Sequence, residues 1–195
     1  VDDSGSMSQE QGNLAESFDA FIKKASEWES NFQVGVITTT VEFPEAGLLE
    51  GSPSFVSNAN WEKFINNVLV GTNGSGHEQG LWAAKIALSS PLTDATETPC
   101  ESDSDCGFFH VCANGLCGGK NRGFMREGAA LELVFVSDEE DQSPESADEY
   151  LKFFKSLKGF DRPDLLHIHA IVGPAGGCDS NAGGAVAGHP YLELA

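Results

Sequence analysis

Three residues near the start of the chain are equipped for cation chemistry: Asp2, Ser4 and Ser6, in the run VDDSGSM. Their spacing, D-x-S-x-S, sets one carboxylate and two hydroxyls close together on one loop. Two later loops carry groups of the same kind. The Gly-rich stretch GTNGSGHEQGL holds Thr72 and Ser75, and the hydrophobic run LELVFVS leads into DEED, beginning at Asp138. Every candidate ligand in these loops is a carboxylate or hydroxyl oxygen. Hard oxygen donors with few charges suit Mg²⁺ or Mn²⁺ with several waters retained. The sequence does not choose between these ions and Ca²⁺. Two carboxylates and three hydroxyls leave a six-coordinate ion short of negative charge, so an open position can take a carboxylate from outside.

Other chemistries fit less well. A hydrolase needs a base beside its nucleophile. The chain has no G-x-S-x-G turn, and no His is placed to activate Ser4 or Ser6. His167 and His169 alternate on one strand face while His77 sits on a separate loop, which reads as structural histidines. Glu139, Glu140 and Asp141 read as a solvated helix start, with a calcium-type site as the minor reading. Asn73-Gly-Ser75 matches a glycosylation sequon by chance.

The elements that would carry these loops follow from periodicity. Ser8 to Glu29 places Leu14, Phe18, Phe21, Ile22, Ala25 and Trp28 at helical spacing. Phe32 to Val41 (FQVGVITTTV) reads as a buried strand, and Gly47 to Val56 as a weak edge strand or loop. Asn60 to Val70 is a short helix. Ser75 with Glu78 three residues on has the form of a capping box, predicting a helix to about Ser90. Leu131 to Ser137 is a strand and Pro144 to Lys158 a helix with Gly159 after its end. Leu165 to Val172 is a strand, and Tyr191 to Ala195 begins a helix. This alternation predicts an α/β domain, a doubly wound, mostly parallel Rossmann-like sheet flanked by helices, with the loops at the strand ends forming the site.

The three loops in this order resemble the von Willebrand factor type A (vWA) domain and its metal-ion-dependent adhesion site. The resemblance covers nearly the whole chain and implies Asp2, Ser4 and Ser6 as first-loop ligands and Asp138 as the third-loop carboxylate. On the second loop the family places a Thr about six residues before a helix Leu or Ile. Counting back from Leu81 gives Ser75, with Thr72 the alternative. CESDSDC, FMREGAALELVFVSDEEDQS and GHPYLELA also resemble a subgroup of bacterial secreted or surface type A proteins known from myxobacteria. The resemblance implies a metal that bridges to a partner's carboxylate and does no catalysis, although a metal-activated water is conceivable in principle.

Formal net charge is −19. It repels nucleic acid and anionic membrane as partners. No apolar run is long enough to span a bilayer. Of five cysteines, Cys100, Cys106, Cys112 and Cys117 cluster in a Ser/Asp/Gly/Asn-rich insert (98–119) within a domain taken to fill 1–195. Disulfides are the reading for so small a loop, with a zinc knuckle as rival. Three pairings are open. Disulfides imply an oxidising compartment, extracellular or cell-surface. Val1 reads as a strand end, so the chain reads as part of a longer protein in which Cys178 pairs beyond Ala195. The insert should project near the binding face. The function expected is a divalent-metal-dependent adhesion or protein-binding module for a protein or surface polymer. The alternative is a non-catalytic scaffold or regulatory subunit with a structural metal.

Overall fold

From an extended start at Val1, the chain turns through Ser4 to Met7 and enters helix α1 (Ser8–Glu27). The computed structural model describes residues 1–27, 31–180 and 183–195; the side chains of Phe18, Asp19, Phe21, Ile22, Ala25, Ser26 and Ser180 fall outside the description. The predicted helical contacts of Phe18, Phe21, Ile22 and Ala25, and the extension through Trp28 and Glu29, therefore lie outside the described residues. Of that stripe, Leu14 is buried, with Ala15 beside it.

In chain order there follow β1 (Gln33–Gly35), β2 (Phe55–Ser57), α2 (Phe64–Val68), α3 (Gly80–Ala87), β3 (Ala95–Pro99), β4 (His110–Ala113) and β5 (Leu116–Gly119). Then come β6 (Leu131–Val136), α4 (Ala147–Lys158), β7 (Leu166–Ile171), β8 (Cys178–Ser180), β9 (Gly183–Ala185) and α5 (His189–Leu194). Helix α4 shows why local sequence holds its ends. Ser146 and Glu149 form a reciprocal capping box at its start, and Gly159 takes φ +98° at its end, a conformation that L side chains avoid.

The doubly wound, mostly parallel sheet does not form. Among the described residues the one parallel pair of strands is β6–β7, in register from Leu131↔Leu166 to Val136↔Ile171. Strands β1 and β2 pair antiparallel, β8 and β9 make a small antiparallel ribbon, and β3-β5-β4 is a separate antiparallel sheet. Two physical causes account for the difference. First, the β-branched run 32–41 becomes strand only at Gln33–Gly35, because fitness for a pleated surface gives no ladder without a partner edge. An apolar cavity of about 160 Å³, lined by Val34, Val36, Leu131, Leu133 and Val136 among others, lies between that run and β6. The chain start is tied to both sides by single backbone bonds, Val1 N to Ile37 O (2.8 Å) and Asp2 N to Val136 O (2.9 Å), and among the described residues no ladder joins the run to β6. Second, β6–β7 is covered on one face. Leu131 and Phe135 pack with Leu81, Ala84, Leu88, Tyr150, Phe154 and Tyr191 from α3, α4, α5 and the turn after α3. On the opposite face Glu132, Val134, His167, His169 and Ile171 are exposed. A second core joins Met7, Leu14, Val36, Val56, Phe64, Val68 and Val136.

The insert is stapled by Cys100–Cys112 and Cys106–Cys117, and Cys178 is an exposed free thiol. Its β4–β5 hairpin turns through Asn114 (φ 54°) and Gly115 (φ 77°), the positive-φ pair that a two-residue hairpin needs. Asn121 fastens the base of the insert to the rest. Its Nδ2 donates to Gly47 O (2.7 Å) and Ala87 O (3.0 Å), and its Oδ1 accepts from Leu49 N (3.1 Å). Among the described residues no helix is long and apolar enough to cross a membrane.

Candidate functional site

Strand β6 and the start of α1 converge on Asp2. Its backbone is fixed on both sides, by Asp2 N to Val136 O and by Gln11 Nε2 donating to Asp2 O at 2.9 Å. The carboxylate is fully buried. Its Oδ1 accepts from Ser4 N (2.8 Å) and its Oδ2 from Ser137 Oγ (2.6 Å). The turn into α1 then sets Ser4 Oγ 3.0 Å from Ser6 Oγ, and Ser6 Oγ donates to Asp138 Oδ1 at 3.1 Å. Asp2, Ser4, Ser6 and Asp138, which lie 136 residues apart at the extremes of sequence, are thus linked in one run of hydrogen bonds, from Asp2 through the Ser4 backbone N–H and then through the Ser4 and Ser6 hydroxyls.

Neither second-loop candidate joins that chain. Ser75 Oγ accepts from its neighbour His77 N (3.2 Å), while Ser75 N donates to Thr40 Oγ1 (3.0 Å). Ser75 lines a depression with Asp3, Thr40, Glu42, Glu45 and Asn73, whereas Ser6 and Asp138 line another trough. Thr72 is half-buried, with no described bond to the four oxygens.

The neighbours that sequence reasoning missed are Asp3, Thr39, Thr40, Glu78 and Ser137. Asp3 Oδ1 accepts from Thr39 Oγ1 (3.2 Å) and Thr40 Oγ1 (3.0 Å), and Gly74 N donates to Asp3 O (2.8 Å). A Cβ on Gly74 would fall 2.2 Å from Asp3 Cγ, so only glycine allows this approach. Thr39 also donates to Glu78 Oε2. The consecutive threonines of ITTTV at the end of a strand were the available signal. Glu78 does not cap a helix with Ser75. Instead Asp141 Oδ1 accepts from Leu81 N (3.1 Å) and Ser143 Oγ from Trp82 N (2.9 Å), satisfying the first turn of α3. Asp141 is therefore a buried cap and not part of a solvated helix start.

Negative charge is crowded here. Burial pushes the Glu78 carboxyl up to about 8; the Thr39 bond opposes this and the nearby Asp2 charge adds to it. Glu78 Oε1 is buried without a donor, and when protonated it can donate towards Asp2. Burial also raises Asp138, against the Ser6 bond and with the help of Asp2, and it raises Glu139 next to Asp2 and Asp138. The bonds named to Asp2, Asp138 and Glu78 come from hydroxyls or a backbone N–H, none from Lys or Arg. Such a set is chemically suited to a hard divalent cation, which supplies the missing positive charge. The trough beside Ser6, Asp138 and Glu139 is walled by 175–179 and 184–187, and Val186 N donates to Asp138 O (2.9 Å).

The insert meets the other depression. Phe43, beside Glu42 and Glu45, contacts Phe108 (ring centroids 4.7 Å apart) and Phe109 (6.2 Å). Within the insert, sulfurs of Cys100, Cys106 and Cys117 lie within 4.8 Å of one another, a group able to hold a soft metal if reduced. As disulfides they offer no thiolate. No known protein family matches this chain, and no curated protein or solved structure matches it either.

Proposed function

We propose that the chain is a binding module in which Asp2, Ser4, Ser6 and Asp138 hold a divalent cation, Mg²⁺ by preference, and the cation accepts a carboxylate from a partner protein or surface polymer. The carrying observation is the run of hydrogen bonds that links Asp2, Ser4, Ser6 and Asp138, whose side chains offer two carboxylates and two hydroxyls. The likeness of D-x-S-x-S and the strand-end Asp138 to the vWA adhesion site supports the same reading. The site opens on a trough, so a cation held there remains reachable. Two formal disulfides fit an oxidising, extracellular-type setting.

The test is Mg²⁺-dependent thermal stabilisation of the protein and of its Ser4→Ala/Asp138→Ala variant. Wild type should gain melting temperature with Mg²⁺ and the variant should not. An equal gain in both would remove the site. Ser75→Ala should retain the gain, since Ser75 stands apart from the four oxygens.

A further inference from the structure

The exposed face of β6–β7 carries a cluster separate from the oxygen site. Glu132 and His167 are direct partners in the parallel register, and His169 stands two residues further along the same face. The Glu132 carboxylate lies between both rings, with Oε1 2.6 Å from His167 Nδ1 and Oε2 3.0 Å from His169 Nε2. We propose that Glu132, His167 and His169 form a binding site for a borderline transition metal ion, Zn²⁺ first.

Three observations support it. The donors are the right kind: two imidazole nitrogens and one carboxylate are the ligands that Zn²⁺, Ni²⁺ and Cu²⁺ prefer and that Mg²⁺ avoids. The backbone is held, because β6 and β7 pair over their whole length while Leu131, Leu133, Phe135, Ile168 and Ala170 pack on the covered face. And the site is open. The side chains of His167, His169 and Glu132 are 49%, 57% and 51% exposed, so both rings can rotate towards one ion and water can complete the tetrahedron. The two imidazole nitrogens meet different oxygens of the one carboxylate, so binding needs both rings to turn towards a single point, with any ring proton on a ligating nitrogen released to water. The chain's charge of −19 raises the local concentration of any cation.

The experiment is calorimetric titration of ZnCl₂ into the disulfide-intact full chain carrying Cys178→Ser, which removes the exposed thiol as a rival soft ligand. One equivalent should bind near neutral pH, with Mg²⁺ in excess failing to compete. Glu132→Gln should weaken binding by about tenfold or more, and His167→Ala/His169→Ala should abolish saturable uptake. Long-range ¹H–¹⁵N spectra should show the ring nitrogens of both histidines shifting with Zn²⁺. All three side chains are exposed, so circular dichroism should report an unchanged fold in the variants. Absence of saturable uptake in the Cys178→Ser protein, or uptake unaltered by the double His replacement, would overturn the proposal and leave the cluster a proton-linked clasp. Either result is independent of the Asp2 site, because Asp138→Ala should leave Zn²⁺ uptake intact.

Discussion

Asp2 and Glu78 are both fully buried carboxylates, yet their surroundings treat them in opposite ways. Asp2 has a donor on each oxygen: Ser4 N on one and Ser137 Oγ on the other. Removing one donor leaves a buried charged oxygen short of a partner, which costs about 1.5–3 kcal/mol. Ser137→Ala should therefore lower unfolding free energy by that amount in urea titrations, and it should weaken Mg²⁺ by about tenfold through the loosened Asp2. Glu78 has the opposite problem: burial favours its neutral form, and its pKa rises to about 8 from 4.5. An acid whose folded pKa is raised binds its proton more tightly in the folded state. The stabilisation is complete below pH 4.5, shrinks as pH rises, and is gone once pH passes about 8. In EDTA, stability should accordingly fall between those limits, and Glu78→Gln should flatten the fall. A slope unchanged in Glu78→Gln would show that other groups titrate there.

Capping separates what was legible in the sequence from what was not. Helix α4 was readable because its signals are local: Pro144 before it and Gly159 after it bracketed the segment, and the Ser146–Glu149 capping box, which the reading did not use, starts it at Ala147 rather than at Pro144. Helix α3 was readable in position but not in its cap, because its first turn is satisfied from 60 residues away by Asp141 and Ser143. Asp141→Ala should destabilise the protein by about 1–2 kcal/mol, whereas Ser75→Ala should cost no more than about 0.5 kcal/mol in the same denaturation series. Equal losses would restore the local cap. The site divides in the same way. That Asp2, Ser4, Ser6 and Asp138 come together was legible, because hydroxyl and carboxylate spacing at a strand end is a sequence property. Thr39, Thr40 and Glu78 were not, because their bonds join loops that only tertiary packing brings together. The sheet failed for a third reason. Alternation of strands and helices suggested burial on both faces, but Glu132 in β6 and His167 and His169 in β7 already put polar groups on one face of an otherwise apolar pair, the mark of a sheet covered mainly on one side.

Across the whole molecule, covalent staples and net charge act on different parts. The two disulfides close loops of 12 and 11 residues within the insert. Each should contribute about 3 kcal/mol to the insert by restricting its unfolded chain. The insert has its own sheet, β3-β5-β4, and is clipped to the rest through Asn121. Reduction should thus expose 100–117 to protease while leaving the Mg²⁺-induced melting shift in place. Loss of that shift on reduction would tie the insert to the cation site. Charge bears on how the shift itself is read. A molecule at −19 repels itself, so any salt stabilises it by screening, and a divalent cation screens more strongly than a monovalent one. At about 0.15 M monovalent salt the screening length is about 8 Å, and charges on the open surface are already largely decoupled. The carboxylates around Asp2 are not, since they are buried and closely packed. A shift caused by general screening should therefore collapse when NaCl is raised to 0.15 M at constant Mg²⁺. A shift caused by a cation on Asp2, Ser4, Ser6 and Asp138 should survive that salt, saturate with Mg²⁺ concentration, and disappear in Asp138→Ala, which removes only one of thirty acidic side chains.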